Sequence, residues 1–178
     1  MQMRLRVRWS KQHQEIMMRQ ALAAYPEECC GFLFGEALAT EGHAGGWWLN
    51  EVRPATNVSK APRAGYELDG REQLAAIKHA EANGLEVFGY YHSHPNGRRG
   101  PSPTDFVLAG GEVKFLALAE VAKLPAELHQ AAGGRLPDHS IHFIIAVQDE
   151  VVIEISAWQL RPDLSGFDQV ELESFDFI

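Results

Sequence analysis

Cysteine is nearly absent: the 178 residues hold two, Cys29 and Cys30, side by side. Adjacent cysteines rarely close a disulfide of acceptable geometry, so a small disulfide-stapled scaffold is excluded and a reducing cytoplasm is the expected setting. Long apolar runs are missing too. Nothing approaches the ~18 consecutive apolar residues of a membrane-spanning helix, and no membrane partner is expected. The opening stretch, Met1 to Trp9, alternates Met3, Leu5, Val7 and Trp9 with polar or charged residues, the period of a strand rather than of a signal peptide. Positive charge is scarce: 16 Lys and Arg face 24 Asp and Glu, a net charge of -8. That excludes the clustered basic surface a nucleic-acid partner requires. Two metal signatures are also lacking, the His-Glu-x-x-His of one zinc hydrolase class and the His-x-Glu with Pro-Cys-x-x-Cys of zinc deaminases.

What the chain does hold is a dense set of hard-metal ligands. His92-Ser93-His94-Pro95 is followed by Ser102 and Asp105. The apolar, aromatic lead-in Val87-Phe88-Gly89-Tyr90-Tyr91 predicts a buried strand that Pro95 ends. Residues two apart on a strand share a face, so His92 and His94 project together and Ser93 projects to the other side. Asn96 to Gly100 reads as a loop, and Ser102-Pro103-Thr104-Asp105 as a helix start with Ser102 as N-cap and Pro103 at the first helical position. Ser-x-x-Asp on its own reads as a capping box. Capping does not account for a strand-end His-x-His joined to a helix-start carboxylate across a turn forced by glycine and proline. Two neutral imidazoles and one carboxylate suit zinc, and three protein ligands leave a fourth position open, as catalysis needs.

Hydrolysis at such a site requires a nearby carboxylate to move protons. The run Tyr25-Pro26-Glu27-Glu28-Cys29-Cys30-Gly31 closes a helix and opens an apolar strand, with two glutamates at its mouth. Residue chemistry alone does not choose between Glu27 and Glu28. A thiol nucleophile at Cys29 or Cys30 is the competing idea, and it lacks a partner base.

Together these segments resemble the JAMM, or MPN+ (Mov34/JAB), metalloproteases, zinc isopeptidases that include deubiquitinases, and in particular stand-alone prokaryotic members. The family pattern is a glutamate upstream of His-x-His, then seven residues, Ser, two residues and Asp; His92, His94, Ser102 and Asp105 meet it without a gap. The upstream family element Pro-x-Glu-x-Cys-Gly is met by Pro26, Glu28, Cys30 and Gly31, which selects Glu28. The resemblance implies one catalytic zinc ion on His92, His94 and Asp105, Glu28 as general base and acid, and Ser102 as hydrogen-bond donor to the developing oxyanion. It implies a single α/β domain over 1–178, a curved mixed sheet flanked by helices in a cytidine-deaminase-like architecture. The implied substrate is a ubiquitin-like protein or its conjugate, cut after the carrier's C-terminus. Two alternatives stay open: trimming of the C-terminal adduct of a sulfur-carrier protein, and a metal-free scaffold that only binds a partner protein.

Punctuation organises the rest. Ser10 caps a helix to Ala24 with Met17, Ala21 and Ala24 on one face, and Gly31 to Phe34 and Trp47 to Val52 read as strands. Asp69 caps a helix through Asn83-Gly84 that is expected to bury Leu74 and Ile77. Ile141 to Val147 and Val151 to Trp158 read as a hairpin. Asn57 and Tyr66 fall where related prokaryotic chains line the approach to the cleft. A helical insertion is expected at 112–133. The acidic tail at 163–178 is expected as a solvated end, an added edge strand or a docking tail for a basic or apolar partner. His139 and His142 should face opposite sides rather than hold a second metal, and His13, His43, His79 and His129 read as isolated and exposed. Arg98 and Arg99 read as solvated.

Overall fold

Capping chemistry starts the first helix. Ser10 Oγ accepts from the His13 backbone N–H at 3.4 Å while His13 Nδ1 accepts from Ser10 N–H at 3.1 Å, a reciprocal box in which an imidazole takes the place usually held by glutamate. His13 is therefore buried, not exposed as expected from its isolation in sequence. The computed structural model describes residues 5–38, 45–112, 114, 116–121, 123–125, 128 and 138–175. Along them run β1 (Arg6–Trp9), α1 (Lys11–Ala24), β2 (Cys30–Leu38), β3 (Gly46–Ala55), α2 (Gly70–Asn83), β4 (Glu86–His94), α3 (Pro103–Leu108), α4 (Leu118–Val121), β5 (Ile141–Gln148), β6 (Val151–Leu160) and β7 (Phe167–Ser174). Asp69 caps α2 through the backbone N–H groups of Arg71 and Glu72, and Gly84 ends it at φ 67, a left-handed turn that a Cβ would disfavour.

The sheet is mixed and flanked by helices, as expected of an α/β fold, but it is not an open curved sheet. The strands run β1-β3-β2-β4-β5-β6-β7 and close into a barrel, because β1 pairs in parallel with both β3 and β7. The acidic segment supplies the closing strand. Glu171 and Glu173 of β7 lie in register with Arg6 and Arg8 of β1, and Arg8 Nε reaches Glu173 at 3.0 Å. These partly exposed charges contribute little stability, but opposite signs across the seam favour this register. Closure also removes the open edge that β1 would otherwise present. An alternating pattern identifies a strand without naming its neighbour, which is why the closure is not readable from β1 or β7 alone.

On the barrel's inner face, Met17 and Ala21 of α1 pack with Val7, Leu33, Leu49, Tyr91 and Phe143. On the outer face, α2 lays Ala76 and Ala80 on Phe32 and Phe34 of β2. Leu74 and Ile77, expected in the core, are 53% and 50% exposed. The large rings on the sheet leave room for alanine at the contact, so α2 approaches along its small residues. His79, also expected in solvent, meets the Phe34 ring edge-on and lies 2.8 Å from Glu51. Within the segment expected as an insertion, Leu124 and Leu128 are buried in a third cluster with Phe106, Val107 and Leu160. Much of 112–133, together with His43 and His129, lies outside the described residues.

Gly31, in the glutamate-bearing motif, has a steric reason to be glycine. A Cβ there would collide with the Tyr91 ring and the Arg53 carbonyl. Gly31→Ala is expected to cost about 3 kcal/mol or more of folding stability. Chemical denaturation reads this directly, and a midpoint equal to wild type would show that Tyr91 can move aside.

Candidate metal centre

The register of β4 decides which way its last residues face. His92 pairs with Cys30 on β2 and Ile144 on β5, and His94 with Ala146. The pleat puts Tyr90, His92 and His94 on the outer face and sends Tyr91 and Ser93 inward. Both imidazoles are almost wholly buried. Across the turn, Ser102 Oγ caps α3 by accepting from Asp105 N–H at 3.1 Å, and the Asp105 carboxylate accepts from Ser102 N–H through Oδ2 at 2.6 Å. The capping box thereby aims the carboxylate. Its Oδ1 lies 3.3 Å from His92 Nε2 and its Oδ2 lies 3.2 Å from His94 Nε2, while the two Nε2 atoms are 3.0 Å apart.

Those three separations test whether a metal fits. Ligands at 2.0 to 2.1 Å from a tetrahedral zinc stand about 3.3 Å from one another, and the donors here already approach that spacing. The side chains of His92, His94 and Asp105 converge as a site for one zinc ion. Supporting contacts fix the rings. His94 Nδ1 donates to the Arg98 carbonyl at 3.2 Å, which leaves the Nε2 lone pair for a metal. His92 Nδ1 has no hydrogen-bond partner among the described residues, and its ring is held instead by stacking against Tyr66 at 4.5 Å. Without a metal, burial pushes the Asp105 carboxyl up, but the charges and hydrogen bonds of His92 and His94 outweigh it and hold the group well below the usual carboxylate range. Burial lowers His92 below an ordinary imidazole. For His94 burial acts the same way, but the bond and charge of Asp105 prevail and raise it.

Of the two sequence candidates for proton transfer, Glu28 is buried and Glu27 is exposed. Glu28 N–H donates to the Pro62 carbonyl at 2.7 Å and its own carbonyl accepts from Asn57 Nδ2 at 2.9 Å. Burial raises the Glu28 carboxyl to about 8, opposed by the charge of His94 and reinforced by that of Asp105. The carboxyl thus feels two of the three ligands. Burial pushes the Cys29 thiol up to about 11 and the Cys30 thiol to about 12, which leaves both as unreactive core thiols.

Of the two loop residues expected near the cleft, Tyr66 stacks on His92 and Asn57 bonds the Glu28 carbonyl. Asn57 ties the loop under Glu28, since its Oδ1 also accepts from Ser59 and Glu67 N–H groups at 3.0 and 3.1 Å. Ser93 had no functional reading in sequence. Its hydroxyl accepts from Cys29 N–H at 2.8 Å and its own N–H donates to the Cys29 carbonyl at 3.1 Å, which locks the glutamate-bearing turn to the strand bearing the histidines. An inward polar residue inside an aromatic strand is the only sequence signal for it. Ser93→Ala orphans a buried N–H and is expected to cost about 1–3 kcal/mol. Thermal denaturation beside a Ser93→Thr control reads it; equal stability of Ser93→Ala and wild type would refute the tie. The loop arginines are not purely solvated: Arg98 donates to the Pro101 carbonyl at 3.2 and 3.3 Å, and Arg99 lies 3.6 Å from Glu154.

Comparison with known proteins places the chain in a family. A family profile described as prokaryotic homologs of the JAB domain matches residues 10–160. A desampylase of Haloferax volcanii is 36% identical over 80 residues, covering 45% of this chain and 52% of that protein. A probable TtuB-protein conjugate cleaving protease of Thermus thermophilus is 37% identical over 68 residues, covering 38% and 46%. A desampylase of Pyrococcus furiosus is 30% identical over 125 residues, covering 64% and 82%. The chain spans about half the length of the first two of these relatives. A solution structure from Salinibacter ruber, 28% identical, superposes with a TM-score of 0.57 over 95% of this chain and 91% of that one. Another from Desulfitobacterium hafniense, 24% identical, superposes at 0.68 over 97% and 94%, a likeness of fold alone.

Proposed function

The chain belongs to the family of prokaryotic JAB-domain homologs, and from that premise we propose that it is a zinc-dependent peptidase that cuts after the C-terminus of a ubiquitin-like protein, releasing it from a conjugate or an extension. One observation carries the reading: a buried glutamate stands in electrostatic contact with a converging His-His-Asp ligand set. An acid pushed up to about 8 beside two imidazole nitrogens aimed at one point is an arrangement suited to proton transfer at a metal site.

Zinc held by His92, His94 and Asp105 would act as a Lewis acid, bringing the pKa of water toward ~7 and polarising the scissile carbonyl. Glu28, desolvated but coupled to the site, takes a proton from the attacking water. It then delivers that proton to the amine nitrogen as the C–N bond breaks and the C–O bond persists. Ser102 Oγ spends a lone pair on Asp105 N–H, and its O–H remains able to donate to the oxyanion that develops. Capping and oxyanion stabilisation use different parts of one hydroxyl. The name of one relative describes a protease that cleaves protein conjugates, which supports a conjugate as substrate here. The complete ligand set weighs against a metal-free scaffold.

The test is mass-resolved cleavage of a panel of ubiquitin-like proteins carrying C-terminal extensions or lysine-linked partners, with zinc-loaded wild type beside Glu28→Ala. Cleavage by wild type alone supports the proposal, and the cut position separates deconjugation from trimming of a sulfur-carrier adduct. A zinc-loaded protein that leaves every member intact would count against peptidase function.

A further inference from the structure

His92 and His94 differ in what fixes their rings. His94 Nδ1 is bonded to the Arg98 carbonyl at 3.2 Å, whereas His92 Nδ1 is buried without a hydrogen-bond partner among the described residues. A histidine that offers one nitrogen to a metal normally has its ring orientation set by a hydrogen bond at the other. For His92 that bond is missing, and the last torsion of a histidine side chain is intrinsically soft. Tyr66 lies nearly flat against the ring instead, with 4.5 Å between centroids and 22° between planes. Turning His92 out of line with Asp105, 3.3 Å from its Nε2, would therefore require the Tyr66 ring to move.

That ring is not free to move, because both chain neighbours of Tyr66 are tied to Asn57. Asn57 Nδ2 donates to the Gly65 carbonyl at 3.2 Å, and Asn57 Oδ1 accepts from Glu67 N–H at 3.1 Å. The same amide donates to the Glu28 carbonyl at 2.9 Å and accepts from Ser59 N–H at 3.0 Å, which uses both of its donor hydrogens and both acceptor positions. Pro62, in the same loop, accepts from Glu28 N–H at 2.7 Å, and Asn57 and Leu68 close the base of the loop as an isolated bridge. The segment from Asn57 to Leu68 thus grips Glu28 by its N–H and its carbonyl, and His92 by its ring. Tyr66, Glu67 and Leu68 also line a cavity of about 520 Å³ that reaches Asp105, Tyr90 and His142. A chain entering there meets the wall that holds a metal ligand.

We infer that Tyr66 is a positioning residue for the zinc site, standing in for the missing hydrogen bond to His92, and that the 57–68 loop couples zinc binding to its own closure over Glu28. The inference rests on the zinc site of His92, His94 and Asp105 and on no particular substrate. By reciprocity, a loop that holds His92 in place is itself held more firmly when zinc is bound.

The experiment measures zinc affinity by competition with a chromophoric chelator, and the d–d absorption of the cobalt-substituted protein, in wild type, Tyr66→Phe and Tyr66→Leu. Phenylalanine keeps the stacked ring, and leucine keeps bulk without it. Expected are wild-type affinity and spectrum in Tyr66→Phe, and in Tyr66→Leu zinc binding about five- to ten-fold weaker with altered cobalt bands. Amide hydrogen exchange supplies a readout that a merely structural role would leave unmoved. Zinc should slow exchange at the Glu28, Val58 and Glu67 amides of wild type by about five- to ten-fold, and far less in Tyr66→Leu. The exchange of wild type with and without zinc decides by itself should Tyr66→Leu fail to fold. Wild-type zinc affinity in Tyr66→Leu, equal weakening in Tyr66→Phe, or zinc protection confined to β4 would overturn the inference. A wild type that takes up no zinc overturns the metal site with it. The expected zinc results beside an uncut substrate panel would defeat the peptidase reading alone.

Discussion

Asp105→Ala is expected to abolish stoichiometric zinc uptake, and with it all turnover. The carboxylate bridges the set, with one oxygen facing each imidazole at 3.3 and 3.2 Å. Its removal leaves two buried ring nitrogens 3.0 Å apart with no carboxylate ligand between them. Two protein ligands do not make a stable zinc site. The substitution has a second, structural effect, because the same carboxylate accepts from Ser102 N–H at 2.6 Å. The helix start should lose about 1 kcal/mol as well. Metal analysis after dialysis reads the first effect and denaturation of the zinc-free protein the second. Near-stoichiometric zinc in Asp105→Ala would show that another side chain completes the site. Asp105→Asn separates the two effects, since the amide keeps an acceptor for the cap while losing the charge.

Glu28→Ala is expected to keep zinc and lose turnover by about 10² to 10⁴ or more, the range for removing a positioned general acid-base. Glu28 is not among the converging ligands, so metal content and rate should part company in this variant. Retained turnover would transfer the role to solvent, given that Glu27 is exposed. The same residue predicts a pH signature in the zinc-free protein. Burial raises the carboxyl from 4.5 to about 8, so the folded state favours the protonated acid. Its contribution to stability is fully present below 4.5 and is lost as pH climbs through about 8. Zinc-free Glu28→Gln should therefore match wild type near pH 4.5 and exceed it near pH 9, by an amount on the order of 4 kcal/mol. Denaturation at the two pH values measures it. A variant no more stable at the upper value would mean that the carboxylate is solvated. Zinc should shrink the difference, because a divalent cation beside Glu28 favours its charged form.

Much of the candidate site was legible because it is local. His92, His94, Ser102 and Asp105 lie within fourteen residues, and strand alternation plus a helix cap suffice to point three ligands at one place. Glu28 was legible as one of two adjacent glutamates, and only a resemblance chose it; in the fold its neighbour Glu27 is exposed while Glu28 is sealed under the Asn57 loop. Ser93 was not legible as a partner of the site. It acts through a contact with a segment far away in sequence, the Cys29 N–H. Leu74 and Ile77 mark a different limit. Their hydropathy argued for burial, but the Phe32 and Phe34 rings on the sheet selected Ala76 and Ala80 for the contact.

By itself the sequence determined the local chemistry: where α1, α2 and α3 begin, through Ser10, Asp69 and Ser102 as caps, and which face of β4 carries the histidines, through the two-residue period of a strand. Those properties depend on bonds reaching only a few residues. The tertiary structure alone decided that β7 closes a barrel against β1, that a glutamate about sixty-five residues before the histidines stands beside them, and that Tyr66, Tyr90, Asp138 and His142 enclose one cavity. These depend on strand neighbours and side-chain volumes brought together over long separations, and no local pattern encodes which segment will arrive.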